Sequence, residues 1–337
     1  MRKRLEIISL ILVMAASLLA IHVYITFFTP ASRDSSVKLI YVQKGTSFRV
    51  VASNLEKAGV VKDSDSLVWA ASLLGAYKKI KAGEYELMAT MTPMEVLEIL
   101  IKGRVKRHLV TIPEGYNVRE VALVMGAAGL ADPDEFVKRS SDARLVASLG
   151  LEGETLEGYL FPDTYEFTRG MGTDEMIARM VEKFKAVYFP DFSEQAKKDG
   201  LSMRKVLTLA SIIEKETGAP EERPLISAVF RNRLKKGIKL QSDPTVIYGI
   251  KGFDGNLTKA HLVAKTPYNT YAIYGLPPGP IANPGRESIA AALNPAKEEF
   301  LYFVSRNDGT HFFSKSLKEH NNAVNRFQRA AKNMEKG

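Results

Sequence analysis

Apolar positions along this chain change their spacing from segment to segment, and the spacing predicts the elements. From Ile7 to Phe28 they form a nearly continuous uncharged run, long enough for a bilayer-spanning helix. Lys38–Gln43 reads as a strand, followed by a Lys-Gly-Thr-Ser turn in which Thr46 or Ser47 can cap a helix. Phe48, Val51, Ala52, Leu55 and Ala58 recur at helical spacing, and Gly59 stops that helix. A second helix is predicted from Ser64 to Leu74, then a strand at Gly83–Leu87. Thr92-Pro93 opens a further helix through Ile101, with Pro at its first position. Asp132–Leu149 and Thr173–Tyr188 are helical and amphipathic. Leu301–Val304 and Gly309–Phe313 read as a hairpin, Asn294–Lys297 as a helical turn, and His320–Lys332 as a terminal helix.

One unit is used twice. Val42–Val60 aligns with Ile112–Leu130, so that Gly45 matches Gly115, Arg49 matches Arg119, Ala52 matches Ala122, and Ala58-Gly59 matches Ala128-Gly129. A strand, a glycine turn and a glycine-stopped helix are therefore expected in both places. Two copies do not make a solenoid. The strand–helix–helix–strand order of Lys38–Met88, with its Gly-Thr-Ser turn, resembles the LysM module, which implies binding of glycans containing N-acetylglucosamine. A plain α+β spacer is the alternative.

Basic residues sharpen the reading of the first run. Arg2, Lys3 and Arg4 precede it, which puts the N-terminus in the cytoplasm and the rest of the chain outside. A cleaved signal peptide is the alternative, but its apolar region is usually shorter, and Leu18 before Ala20 makes a poor cleavage site. The expected order is a cytoplasmic end (1–6), an anchor (7–28), a polar linker (29–37), a LysM-like subdomain (38–110) and a larger mixed α+β catalytic domain (111–337). The fold class is α+β.

Composition narrows the chemistry. The 337 residues are 45% hydrophobic and 25% charged, which is ordinary for globular protein and long enough for two or three domains. The net charge of +9 is scattered, for example over Arg104, Lys106, Arg107, Lys235, Lys236 and Lys239, without an aromatic-interleaved basic motif. Nucleic acid is therefore not an expected partner. The absence of cysteine rules out disulfides, thiolate metal sites and a Cys nucleophile. Five histidines without close pairing argue against a His-rich metal site.

Candidate chemistry concentrates between Leu207 and Asn283. The helix Ser202–Thr217 places Val206, Leu207, Leu209, Ala210, Ile212 and Ile213 on one broad face, with Arg204, Thr208, Ser211 and Lys215 opposite. Glu214 and Glu216 fall on the two flanks. Either could be half-buried, and periodicity does not choose between them. A carboxyl against apolar neighbours at a helix C-terminus has its ionised form disfavoured, as a general acid requires. Polar and aromatic loops follow: Gln241-Ser-Asp-Pro244, Tyr248, Tyr268-Asn-Thr-Tyr271 and the Pro- and Gly-rich Gly275–Ile281, read as a cleft wall. Upstream, Tyr159, Phe161, Tyr165 and Phe167 either line a groove or alternate into core. His311 either lines the site or caps the final hairpin; the hairpin is the favoured reading.

Four motifs together are similar to the endolytic murein transglycosylase, or YceG-like, family: Ala210–Thr217 (Ala-Ser-Ile-Ile-Glu-Lys-Glu-Thr), Leu240–Gly249, Tyr268–Tyr271 and Gly275–Gly279. The resemblance extends over nearly the whole chain. It implies endolytic cleavage of nascent peptidoglycan strands at the outer face of the cytoplasmic membrane, in a terminating role. It implies that the second glutamate of the Glu-Lys-Glu-Thr motif, Glu216, is catalytic, and that no metal or other cofactor is needed. Glu214, Gln241, Asp243, Tyr248, Asn269 and Tyr271 are then candidate substrate contacts, with peptidoglycan synthases as candidate partners. A hydrolase pairing Glu216 with Glu214 or Asp243, and a non-catalytic glycan-binding scaffold, are the rival readings.

Overall fold

A computed structural model describes residues 2–329. The final three residues of the helix expected at His320–Lys332 lie outside the described residues. The chain forms two compact units. Unit 1 comprises the chain up to Leu109 together with Glu166–Met171; unit 2 comprises Val110–Tyr165 and the chain from Gly172 onward.

In unit 1, α1 (Arg2–Phe28) is followed by β1 (Lys38–Val42), α2 (Phe48–Lys57), α3 (Ser64–Leu73), β2 (Gly83–Leu87) and α4 (Pro93–Lys102). The strands pair antiparallel with Ile40 opposite Tyr85 and Lys38 opposite Leu87. Their inward residues join Phe48, Val51, Leu55, Leu67, Ala71, Val96, Leu97 and Leu100 in one apolar core. Thr92 and Glu95 close a capping box at the start of α4, and Gly103 ends it in the left-handed conformation. The anchor and linker are less separate than the sequence suggests. Phe27 is buried in the unit 1 core, Val23 packs against it, and the Ser32 N–H donates to the Ala89 carbonyl.

The repeat is visible in the backbone. Gly45 and Gly115 both take a positive φ in the turn, and Gly59 and Gly129 both take φ +67 after α2 and its counterpart α5 (Val118–Ala127). Each helix closes alike: the Ala58 N–H reaches the Asn54 carbonyl and the Val60 N–H reaches Leu55, while Ala128 reaches Val124 and Leu130 reaches Met125. The likeness runs further than the sequence alignment. β3 (His108–Thr111), α5, α6 (Pro133–Ser140) and β4 (Thr164–Phe167) repeat the strand–helix–helix–strand order, with a short α7 (Ala143–Ser148) added, and β3 pairs with β4.

Unit 2 continues with α8 (Thr173–Asp191), α9 (Ser193–Lys198) and α10 (Met203–Glu216). After a 3-10 turn (Pro220–Glu222) come α11 (Arg223–Lys235), α12 (Asp243–Tyr248), α13 (Lys259–Val263) and α14 (Arg286–Leu293). A hairpin of β5 (Tyr302–Ser305) and β6 (His311–Ser314) precedes α15 (Leu317–Val324) and a π-turn (Asn325–Arg329). Tyr159, Phe161, Tyr165 and Phe167 are all buried, so the core reading of that run holds. No helical turn forms at Asn294–Lys297; the helix lies just before it, as α14, which packs against α10.

α10 is buried all round rather than on one face. Every residue from Val206 to Ile213 is buried, including Thr208 and Ser211. Their hydroxyls make this tolerable: Thr208 donates to the Arg204 carbonyl, and Ser211 donates to Thr208 and accepts the Ile281 N–H. The Pro- and Gly-rich segment is thereby stitched to α10. Asn283, fully buried at its end, accepts the Gly158 and Leu160 N–H groups through Oδ1 and donates to the Tyr116 carbonyl through Nδ2.

Candidate active site

The last residue of α10, Glu216, opens onto a cavity of about 440 Å³ in unit 2. The floor and near wall include Arg233, Gln241, Asp243 and Tyr271. The far wall is the terminal hairpin with α15: Tyr302, Phe303, His311 and His320 among others.

Local sequence explains why the polar groups converge. The segment before α12 turns sharply at Gln241, a non-glycine residue with φ +53, a conformation that costs about 1–3 kcal/mol and must be held by its surroundings. The hold comes from Thr270. Its carbonyl accepts the Gln241 N–H, its hydroxyl accepts the Ser242 N–H at 2.9 Å, and it meets the Thr245 hydroxyl at 2.8 Å. Thr245 and Thr270 are fully buried. The turn aims Ser242 at α10, where its hydroxyl donates to Glu216 Oε1 at 2.5 Å. Asp243, the first residue of α12, accepts the Tyr271 hydroxyl at 2.7 Å.

These surroundings set the proton affinity of Glu216. Burial pushes its carboxyl up to about 7, against the pull of the Ser242 hydrogen bond; the Asp243 charge pushes the same way as burial, and Arg233 opposes it. The C-terminal end of the α10 dipole also disfavours the charged form. Burial, then Asp243, raises the Tyr271 phenol, which stays protonated and can donate. Arg233 is buried and spends its donors on the Leu240 and Leu301 carbonyls, at 2.6 Å each, while lying over the Tyr302 ring.

Four of the seven sequence-selected residues meet here: Glu216, Gln241, Asp243 and Tyr271. The other three have structural partners instead of a place on the cavity lining. Glu214 is tied to Arg223 at 3.2 Å and accepts the Gly285 N–H at 2.9 Å, with its side chain only 6% exposed. It joins the end of α10 to the starts of α11 and α14, so its expected role as a substrate contact has no geometric basis. Asn269 is fully buried; Nδ2 reaches the carbonyls of His261, Leu262 and Ala264, and Oδ1 accepts the Tyr271 N–H. It shapes the loop that carries Tyr271 and lies off the cavity lining. The Tyr248 hydroxyl donates to Glu157 at 3.0 Å, and its ring lies against Tyr268. Glu157 is itself buried, which pushes it up to about 8. The Gly275–Ile281 wall also lies elsewhere: Leu276, Pro277 and Pro278 line a separate cavity beside Arg204.

Arg233 also lines the cavity, and so does His311, for which the sequence favours the role of hairpin cap. His311 starts β6. Its Nδ1 lies 2.6 Å from Glu222 Oε2, and its backbone N–H donates to Glu222 Oε1, so one carboxylate fixes both ring and backbone. No local pattern singles out Arg233, which shares the Val229–Leu234 stretch with Arg231 and Asn232. Nothing local distinguishes His311, because its partner lies across unit 2. Burial, with help from Arg233, lowers the proton affinity of His320, whose ring stacks on Tyr302.

Residues 40–326 match the model of the YceG-like family. The chain belongs to the YceG-like family. A relative from Bacillus subtilis named endolytic murein transglycosylase is 34% identical over 88% of this chain and 87% of its own length. A relative of the same name from Streptococcus pneumoniae is 29% identical over 84% of this chain but 57% of its own length. Among solved structures, a yceG-like protein from Listeria monocytogenes matches with a TM-score of 0.60 at 31% identity, over 86% of this chain and 99% of that one. A YceG-like family member with a carboxyl, an arginine, a tyrosine–aspartate pair and a carboxylate-held histidine around one cavity has the equipment for acid–base work on a polar substrate.

Proposed function

We propose that this YceG-like protein is a membrane-anchored endolytic murein transglycosylase, with Glu216 as its acid and base. The carrying observation is one carboxyl, raised to about 7 by burial, on a cavity lined with sugar-compatible groups. The names of the relatives supply the substrate class.

In this reading the protonated Glu216 donates to the oxygen between N-acetylmuramic acid and N-acetylglucosamine, and the C1–O bond breaks. Positive charge develops at C1 of the muramic acid. The Glu216 carboxylate then takes the proton of that sugar's own C6 hydroxyl, whose oxygen closes on C1. A 1,6-anhydro end forms, no water is consumed and Glu216 is protonated again. One carboxyl suffices because the substrate supplies the nucleophile, unlike the paired carboxylates of ordinary glycosidases. The charge of Asp243 and the positioned groups of Gln241, Tyr271 and His311 orient the sugar and favour the cationic centre. Glu216→Gln tests the assignment: a folded variant that still cleaves strands at the wild-type rate refutes it.

Asp243 lines the same cavity, which supports one second reading, a two-carboxylate hydrolase. Glu214 is a poor partner in such a pair because Arg223 and Gly285 hold it. The chemical nature of the new chain ends separates the readings.

The setting follows from α1, an apolar helix long enough to span a bilayer. With Arg2, Lys3 and Arg4 inside, both units lie outside the cytoplasmic membrane, where nascent strands and their synthases are found. The β1–α2–α3–β2 order supports reading residues 38–110 as a LysM-like glycan-binding subdomain. Termination of strand growth is the role this placement suits. Flotation of the full chain with liposomes tests the anchor, and loss of flotation on deleting residues 1–28 is the expected result.

A further inference from the structure

We propose that unit 1 rests on the lipid surface through a foot built from the C-terminal half of α3 and the segment that follows it. The inference depends on the reading of α1 as a bilayer span and goes beyond it.

The starting point is Trp69, the single tryptophan of the chain. It is 54% exposed, yet its ring stacks on buried Phe27 in the last turn of α1, with centroids 5.5 Å apart and planes 16° apart. A helix rises about 1.5 Å per residue, and the hydrocarbon core is about 30 Å thick, so a span needs about twenty residues. Counted from Ile7, where the uncharged run begins, the span ends near Thr26. Tyr24 and Phe28 are exposed and stack on each other, an aromatic pair at the level where such rings mark the membrane–water boundary. Trp69 therefore sits at the headgroup level.

The packing of α3 keeps the surface at that level. Its first turn, at Asp63 and Ser66, shares a small cavity with Ile25, Thr26 and Thr29, at the end of α1. Trp69, farther along α3, meets Phe27 in the same turn of α1. α3 thus lies against the end of the span. One turn beyond Trp69, Leu73 is 73% exposed, and Leu74 and Tyr77 are also exposed. Tyr77 meets Phe48 edge-on, yet it, Leu73, Leu74 and Trp69 all keep large exposed surfaces, which a lipid interface suits. Lys78 and Lys79 follow at once and are exposed. Apolar and aromatic residues followed by lysines are the pattern of an interfacial segment facing anionic headgroups. The packing of Val23 and Phe27 into the unit 1 core makes the joint to the span stiff, so the surface is held at one depth.

The test uses the full chain reconstituted in vesicles of mixed phosphatidylglycerol and phosphatidylethanolamine. The chain has no cysteine, so a nitroxide placed by Leu73→Cys reports one site, and Leu109→Cys, also an exposed position of unit 1, serves as reference. Flotation is scored first. With the anchor intact, the label at 73 should collide more with dissolved oxygen than with a water-soluble nickel chelate, and the label at 109 should show the reverse. Trp69 emission should be quenched by lipids brominated high in the chain. Lys78→Glu with Lys79→Glu should move the label at 73 toward water without loss of flotation. If the protein floats but the label at 73 is as open to the nickel chelate as that at 109, the foot is refuted and the anchor stands. If that label is shielded from both relaxants, a protein surface or second copy covers the patch, and the lipid assignment falls. If the protein does not float, the anchor reading fails and takes this inference with it.

Discussion

Glu214 and Glu216 lie two residues apart at the end of α10 and serve different neighbours: Glu214 holds Arg223 and the Gly285 N–H, whereas Glu216 lines the cavity and accepts from the buried Ser242. Successive helical positions turn by about 100°, so a separation of two puts the side chains about 200° apart. One motif thus carries a carboxylate tied into the packing and a carboxyl that lines the cavity. Glu214→Ala leaves the nearly buried Arg223 without its buried partner and should cost about 3–5 kcal/mol of stability. Glu214→Gln keeps an acceptor for Gly285 and should lose less. Urea unfolding measures both, and folded Glu214→Gln should still cleave glycan strands.

Glu216→Gln should abolish cleavage while making the protein more stable at pH 8. Its folded-state value of about 7 lies above the ordinary 4.5. Between those pH values the folded chain keeps a proton that the unfolded chain has lost, so stability falls as pH rises through this window. Glutamine carries no such penalty. Allowing for the partial exposure of Glu216, the gain at pH 8 should be about 1–3 kcal/mol, read by denaturation at pH 5 and pH 8. At pH 5 the two proteins should differ much less.

Cleavage by the wild type should decline as pH rises through about 7, because the acid must carry its proton. Asp243→Asn removes a neighbouring negative charge that raises this value, so the alkaline limb should shift to lower pH. A pH–rate profile on purified glycan strands measures the shift.

His311→Ala and Glu222→Gln should each lower turnover, by about 10- to 100-fold for the first. Since Glu222 orients His311 through Nδ1, the double variant should fall little below His311→Ala alone. A double-mutant cycle on kcat checks this, with additive losses as the contrary result.

Asn269→Ala should destabilise by about 2–4 kcal/mol, since it removes buried bonds to three carbonyls and to the Tyr271 N–H. A ligand-contact role would instead weaken substrate binding at unchanged stability.

Asn269 also shows where sequence reading stops. Its amide looks like sugar-binding equipment, but its partners lie within its own loop, and no periodicity reveals that. The α10 pattern similarly promised an exposed polar face. Thr208 and Ser211 are buried because α10 lies among α11, α14 and the Ile281 segment, an arrangement made by contacts far apart in sequence. Local signals fared better. The glycine pairs 45/115 and 59/129 marked turns and helix stops that need positive φ, and Thr92-Pro93 marked a helix start. The cavity lining was legible at Glu216, Gln241, Asp243 and Tyr271, which stand in three short motifs. Arg233 and His311 were not, because a helix interior and a distant hairpin supply them.

The most direct measurement is mass spectrometry of purified glycan strands digested by the full chain, with Glu216→Gln as control. The account predicts new 1,6-anhydro-N-acetylmuramic acid ends with the wild type and none with the variant. New reducing ends carrying the elements of water, or anhydro ends formed equally by the variant, would contradict it.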